Sequence, residues 1–394
     1  MGVVGNSAAG IDVVIPSLMF VIAALLACTT PSAAPLFAAE IPAAETAPKV
    51  ETAPKVETPS MVRKSRPAYG TVVEIMAVAP ADRIDPACDA AFEEVRRIER
   101  LVDEDDPKSP VARINAGAGK ETVVVEPELF LVLSELSHLS KLTKGAFDVT
   151  AAIYDDAWHF DAGASPTRDP LGTADAALSP GTPTPRAAKG LPDKSAIDRA
   201  RALVGFDDLV LDAAARTARL KTAGARIGVH AVARGYALER AAGVLEERGV
   251  HDFIVSAAGD LVVRGDKGGR PWLVGIQDPR ASGHFAAIPA DGAVMTTADY
   301  EEFFFDGGVR YHNVLDPRTG QPATKCRSVT VVANDALTSE ALSRAVFVLG
   351  AKDGMVLIER LKGVEAVVVT SDNKVVVSKG LKDVIQQRPP TDGP

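Results

Sequence analysis

The chain has 394 residues, 46% hydrophobic and 24% charged, an ordinary globular composition with room for one large domain or two modest ones. A formal net charge of −9, with no Lys/Arg-rich block to offset it, argues against a nucleic-acid partner. Three cysteines, Cys28, Cys88 and Cys326, exclude a disulfide framework and leave open only a single Cys88–Cys326 bridge in an oxidising compartment.

From Val13 to Ala27 the sequence reads VVIPSLMFVIAALLA, uncharged and interrupted by Pro16. It is too short for a comfortable membrane span and suits the apolar region of a signal peptide over 1–28. Leu25-Leu26-Ala27-Cys28 resembles a bacterial lipobox, in which Cys28 is acylated and becomes the mature N-terminus. That reading anchors the protein by a lipid in the cell envelope, facing the periplasm. Cleavage near Ala39, giving a soluble periplasmic protein, and a retained anchor are the alternatives. No Lys or Arg precedes the run, only Asp12, and Met19 offers a second start. The motif ETAPKV at 45–50 recurs at 51–56. Proline and charge with little to bury do not offset the entropy of ordering a backbone, so 29–62 is expected to be a semi-extended tether.

The folded domain is expected over 63–385. TVVEIMAVA (71–79) alternates as a strand does. Asp85-Pro86 opens a helix to about Asp103, with Phe92, Val95, Ile98 and Leu101/Val102 at helical spacing. A second amphipathic helix covers 128–143 and is closed by Gly145. The Pro/Gly/Ala/Thr-rich stretch at about 161–190 has no periodicity and reads as a long surface insertion. A helix at 193–204 and a strand pair near 208–221 follow, then a strong helix over 231–249 ending on Gly249. Short strands alternate with Gly/Asp turns through 253–332. Helices are expected over 336–349 and 352–362, a hairpin over 365–378, and an unstructured tail over 386–394. This irregular interleaving favours an α+β fold over a doubly wound sheet.

Taken alone, the polar motifs read as local structure. KGAFDVT (144–150) is a helix C-cap followed by an Asx-type turn carrying Asp148 and Thr150. Asp260 and Asp278 fall at turns, and DPRTG (316–320) is a proline-initiated turn. Glu340 and Arg344 stand one helical turn apart, as in a surface ion pair worth about 0.3–0.5 kcal/mol, or else on a face meeting phosphate or metal. His230, His251 and His312 have no metal-ligand spacing and read as loop or surface residues. No GxGxxG, P-loop or GxSxG occurs, so local spacing assigns no chemistry.

In order, however, YGTVVEI (69–75), RIN (113–115), GAFDVT (145–150), VARGYALERAAGVLEERGVHDFIVSAAGD (232–260), RPWLVGIQDPR (270–280), TTADYEEFF (296–304), YHNVLDPRTGQP (311–322) and SVTVVANDALTSEALSRAVFVLG (328–350) resemble the FAD:protein FMN transferase (ApbE) family. The resemblance runs from about 67 to 380. It implies one exported, often lipid-anchored α+β domain, a T-fold-like mixed sheet with packed helices. It also implies that FAD is held with Mg²⁺, its pyrophosphate split, and FMN attached by a phosphoester to a threonine of a target protein, here one belonging to a flavin-dependent membrane complex.

Carried over residue by residue, the resemblance assigns Tyr69, Ala146, Phe147, Asp148, Arg234, Asn313, Asp316 and Thr319 to the flavin nucleotide. It assigns Glu340 and the backbone carbonyls of Ala231 and Ser343 to Mg²⁺. Asn313 stands at the family's histidine and cannot act as a base, which leaves Asp316 or His312 to accept the proton. Gly228 replaces the family's FAD-binding aspartate, and Arg344 its metal-ligating threonine. A guanidinium about 4 Å from Mg²⁺ is repelled by about 8 kcal/mol at an effective dielectric of 20. Three readings follow: an active flavin transferase, a flavin or nucleotide binder in which Arg344 and Arg234 replace the metal without transfer, and an envelope scaffold.

Overall fold

The computed structural model describes residues 60–158, 160 and 190–387. The expected signal peptide and lipobox, the tether up to residue 59, the insertion over 161–189 and the tail from 388 lie outside the described residues. Among the described residues no helix is long and apolar enough to cross a membrane.

The chain opens with a hairpin of β1 (Ser60–Ala68) and β2 (Thr71–Ala79), turned at Tyr69 and Gly70, both with positive φ. Ser60, Met61 and Val62 pair with Ala79, Val78 and Ala77. The expected tether therefore ends at these residues rather than running to 62, because their backbone groups complete a ladder. Helix α1 (Ala81–Val102) begins four residues before the expected Asp85. Pro86 lies inside it, at the cost of one backbone bond, while Ile84 ahead of the proline is 1% exposed and anchors the first turn in the core. Then come α2 (Pro110–Ala116), β3 (Val123–Val124), α3 (Pro127–Leu142), a 3₁₀ turn at Val149–Tyr154, α4 (Asp155–Trp158) and α5 (Lys194–Arg201). A small sheet of β3, β4 (Leu209–Asp212) and β5 (Thr217–Leu220) leads into α6 (His230–Glu247).

The remaining strands are β6 (Asp252–Ala257), β7 (Asp260–Arg264), β8 (Leu273–Gln277), β9 (His284–Pro289), β10 (Gly292–Ala298), β11 (Phe303–Asp306), β12 (Val309–His312), β13 (Leu315–Asp316), β14 (Gln321–Pro322) and β15 (Cys326–Ala333). After α7 (Ala336–Ile358) the chain ends in β16 (Glu365–Thr370), β17 (Val375–Val377) and β18 (Gln386–Gln387). The two helices expected over 336–349 and 352–362 are present, carried here under the one label α7: the helix is broken at Gly350, whose φ of 82° and ψ of 167° are not helical, and the second stretch ends at Ile358 rather than at 362. Residues 386–387, expected in the tail, pair with Ala286 and Ala287.

Eight strands form the main sheet in the order β1-β2-β6-β7-β10-β15-β16-β17. The α+β class is as expected, but every neighbouring pair is antiparallel, so the sheet is not mixed; hairpins and long returns connect it instead of parallel crossovers. Its two faces follow the strand period of two. Val73, Ile75, Phe253, Val255, Val262 and Met295 face a core shared with α1, α3, α6 and α7, while Met76, Ile254, Leu261, Val263 and Val294 face the small β8–β9–β18 sheet. Each such side chain, fully buried, contributes about 1.5–3 kcal/mol. Arg97 on α1 bonds Glu94 at 2.8 Å and Glu128 of α3 at 2.6 Å, and Tyr236 of α6 donates to Glu128 at 2.9 Å, tying three helices together. Cys88 and Cys326 are each buried and free, so the Cys88–Cys326 bridge left open by the sequence does not form.

Candidate active site

One cleft of about 390 Å³ opens between the end of α1, the segment from Ala146 through α4, the start of α6, the loop after β12, and α7. Its walls are built by local rules. Lys144 and Gly145, both at positive φ, close α3, and the Gly145 N–H donates to Ser140 O at 2.9 Å. The turn delivers Ala146 and Phe147 into the core and points Asp148 at the 3₁₀ turn. There its carboxylate accepts from Thr150 N at 2.9 Å, Thr150 Oγ1 at 2.6 Å and Phe206 N at 2.9 Å. Burial nevertheless pushes the Asp148 carboxyl above the usual range, against those bonds.

The opposite wall is the 313–320 loop. Asp316 grips Arg318 through both oxygens at 2.8 Å, and its carbonyl accepts from Thr319 N and Gly320 N, the turn expected from DPRTG. Two aromatic donors pin this loop: Tyr154 Oη to Pro317 O at 2.9 Å and Trp158 Nε1 to Gly320 O at 2.8 Å. Asn313 lines the cleft, and its amide nitrogen donates to Glu302 at 2.8 Å. Burial raises the Glu302 carboxyl against that bond.

Neither expected proton acceptor is placed to act. His312, read from sequence as a loop or surface residue, is 5% exposed. Its Nε2 donates to Ala323 O at 2.9 Å and its Nδ1 accepts from Val314 N at 3.3 Å, so both nitrogens are committed to backbone. Burial holds its pKa below the usual histidine value. Asp316 lies outside the cleft lining, and the pairing with Arg318, outweighing its burial, holds its carboxyl low and makes it a poor base. Thr319 is exposed and outside the lining; Tyr69, which is buried, and Arg234, which is half-buried, also lie outside it. Of the residues expected to hold the nucleotide, Ala146, Phe147, Asp148 and Asn313 line the cleft together.

Arg344 and Ala231 line the cleft too, and Arg344 belongs to a cluster of four charges whose other members lie outside the lining. Arg344 Nε reaches Glu340 Oε1 at 2.7 Å; beside them Arg234 Nε and Nη2 reach Asp260 Oδ2 at 2.9 and 2.5 Å. Asp260 and Glu340 are each 2% exposed, so the Glu340–Arg344 pair is not the surface pair that spacing alone suggested. Asp260 begins β7 rather than a turn. Burial and the nearby Glu340 push its carboxyl up, while Arg234 pulls it down. Ser343 is fully buried; its hydroxyl pairs with Thr297 at 2.7 Å and donates to the Glu340 carbonyl at 2.9 Å.

This arrangement does not fit Mg²⁺. The ion requires several hard oxygen ligands, yet both buried carboxylates are already held by guanidinium groups. The position of the expected threonine ligand carries a positive charge, and the Ser343 carbonyl lies mid-helix, where the i+4 amide takes it. Among the described residues no group of three or more His, Cys, Asp or Glu is arranged to hold a metal.

Sequence reasoning missed the acidic end of the cleft. Glu104, just past α1, accepts from Val229 N at 2.8 Å and His230 N at 3.0 Å and so holds the first free amides of α6. A Cβ at Gly228 would lie 2.3 Å from Ala152 Cβ and 3.6 Å from both Glu104 oxygens. A carboxylate side chain at 228 is thus excluded, and a carboxylate from another segment occupies the neighbouring space. Arg226 bonds Asp156 at 2.9 Å and approaches Glu104 at 3.8 Å. His230 lines the cleft against Tyr69, ring centroids 4.8 Å apart, and its ring nitrogens bond to no described residue. The run Asp103-Glu104-Asp105-Asp106 gave no hint of this, since acidic loops at helix ends are ordinarily solvated.

Comparison with known proteins places the chain among flavin transferases in sequence and fold. The sequence model of the ApbE family matches residues 69–368. A FAD:protein FMN transferase of Treponema pallidum (strain Nichols) is 28% identical over 332 residues, covering 80% of this chain and 85% of that one. One from Vibrio cholerae is 25% identical over 308 residues, covering 76% and 84%. Among solved structures, the ApbE protein of Thermotoga maritima superposes with a TM-score of 0.70 at 29% identity, over 84% of this chain and 100% of that one. The flavin transferase ApbE from Vibrio cholerae gives 0.67 at 24% identity, over 83% and 99%, a likeness of fold.

Proposed function

The chain belongs to the ApbE family, and on that premise we propose that it is a FAD:protein FMN transferase whose substrate lies in the cleft between Asp148, Asn313, Ala231 and Arg344. One observation carries this reading: segments scattered from Asp103 to Val348 converge on a single 390 Å³ cleft, within which half of the expected nucleotide contacts meet. The reaction is a substitution at phosphorus. A target threonine oxygen bonds to the phosphorus on the FMN side of the pyrophosphate, the bond to the bridging oxygen breaks, and AMP leaves with that oxygen. The hydroxyl proton needs an acceptor. Among the described residues lining the cleft, His230 is the imidazole with uncommitted ring nitrogens, and it takes that role here in place of His312 and Asp316. Glu104 and Asp155 supply acceptors for ribose or ribityl hydroxyls.

The reading extends to the protein's setting. The sequence LLAC at 25–28 supports a lipid on Cys28, which tethers the domain to the envelope on the periplasmic side, within reach of a threonine-bearing subunit of a flavin-dependent membrane complex. A second reading, a flavin binder without transfer, is favoured by Asn313 at the position of the family's histidine and by the arginine beside Glu340. Incubating the purified chain with FAD and a threonine-bearing target protein separates the two. Transfer adds FMN less one water to the threonine and releases one AMP. An unchanged target mass, with an authentic family enzyme working in parallel, rejects the transferase.

A further inference from the structure

The geometry points to a flavin-nucleotide site that holds the pyrophosphate of FAD with the Arg344 guanidinium instead of a divalent cation. The inference rests on the FAD-binding part of the reading above. Arg344 spends only Nε, on Glu340 Oε1; its two terminal nitrogens bond to no described residue, and the side chain is 33% exposed on the cleft wall. Four N–H groups of a planar fork therefore face a space shared with Ala231, Asn313 and Asp148. Glu340 fixes the fork from behind, since a carboxylate one helical turn back holds the stem in one rotamer. Arg234, paired to Asp260 alongside, adds a second positive charge behind the first. A diphosphate presents paired oxygens of matching geometry, and a guanidinium takes them two at a time. The same contacts explain why a metal is not accommodated: its carboxylate is occupied and its neighbouring position is cationic.

The test is a calorimetric titration of FAD into the whole chain, once with excess Mg²⁺ and once with EDTA, for wild type, Arg344→Met and Arg344→Thr. The expected result is an unchanged dissociation constant for wild type in the two buffers and about a tenfold to hundredfold weaker one for Arg344→Met, the span set by losing a charged hydrogen-bond pair. Arg344→Thr frees the Glu340 carboxylate and adds a hydroxyl oxygen. Its FAD binding is expected to become Mg²⁺-dependent, and its melting temperature to rise with Mg²⁺ when that of wild type does not. Wild-type binding that appears only with Mg²⁺ overturns the inference and leaves the transferase reading standing. No binding in either buffer overturns both. Should either variant unfold, as melting curves reveal, the wild-type comparison still decides.

Discussion

Glu340 and Arg344 lie one turn apart on α7, joined at 2.7 Å, with the carboxylate side chain 3% exposed and the guanidinium open to the cleft. Separated from its partner, such a carboxylate is a buried, uncompensated charge. Arg344→Ala is therefore expected to lower unfolding stability by about 3 kcal/mol, at the lower end for a broken buried pair because water reaches the arginine. Replacing both, as Glu340→Leu with Arg344→Met, should cost much less than the single change. Urea unfolding of the three proteins checks the ordering.

His312 yields a pH signature. Its pKa is lowered by burial in the folded state, so the native protein binds fewer protons than the unfolded chain near the ordinary histidine value. This contribution is fully present above about pH 6.5 and is lost as the pH falls through the lowered folded value. The melting temperature should drop on acidification below that point. His312→Gln, lower in stability throughout, should show a shallower decline in the same window.

His230 offers a kinetic one. If it accepts the threonine proton, His230→Gln should slow single-turnover transfer by about a hundredfold or more while FAD affinity changes far less. An unchanged rate would assign the proton to another group.

Gly228 tests the exchange of carboxylates. An aspartate there meets Ala152 Cβ within van der Waals distance, so Gly228→Asp should destabilise by about 1–3 kcal/mol, as overpacking does. Ala152→Gly should restore part of the loss. Glu104→Ala should loosen the start of α6 and raise hydrogen exchange at Val229 and His230.

Much of this architecture was legible in the sequence, and the limits have physical reasons. Strand β2, helix α3 and the closing hairpin follow from hydrophobic period alone. Strand β1 was not legible: SMVRKSRPA is mostly exposed and carries Arg63, Lys64 and Arg66, and it is a strand because β2 pairs with it. The start of α1 was misjudged because Pro86 looks like a first-turn residue, whereas burial of Ile84 extends the helix past it. For the site, three of the ordered motifs bring Ala146, Phe147 and Asp148, then Asn313, and then Arg344 to the lining of one cleft. Glu104, Arg226 and the usable face of His230 lie in segments whose meaning arises only when the end of α1 meets the start of α6. Burial of Glu340 and His312 was hidden for the same reason: spacing along one element does not report what packs over it.

The location of the site is tested most directly by filling it. Ala231 is exposed and lines the cleft beside Arg344, so Ala231→Trp should fold normally yet block the space a dinucleotide requires. Titrated with FAD and followed by flavin fluorescence, wild type should show saturable one-site binding. The variant should show none, at an unchanged melting temperature. FAD affinity equal in the two proteins would contradict the assignment of the flavin nucleotide to this cleft.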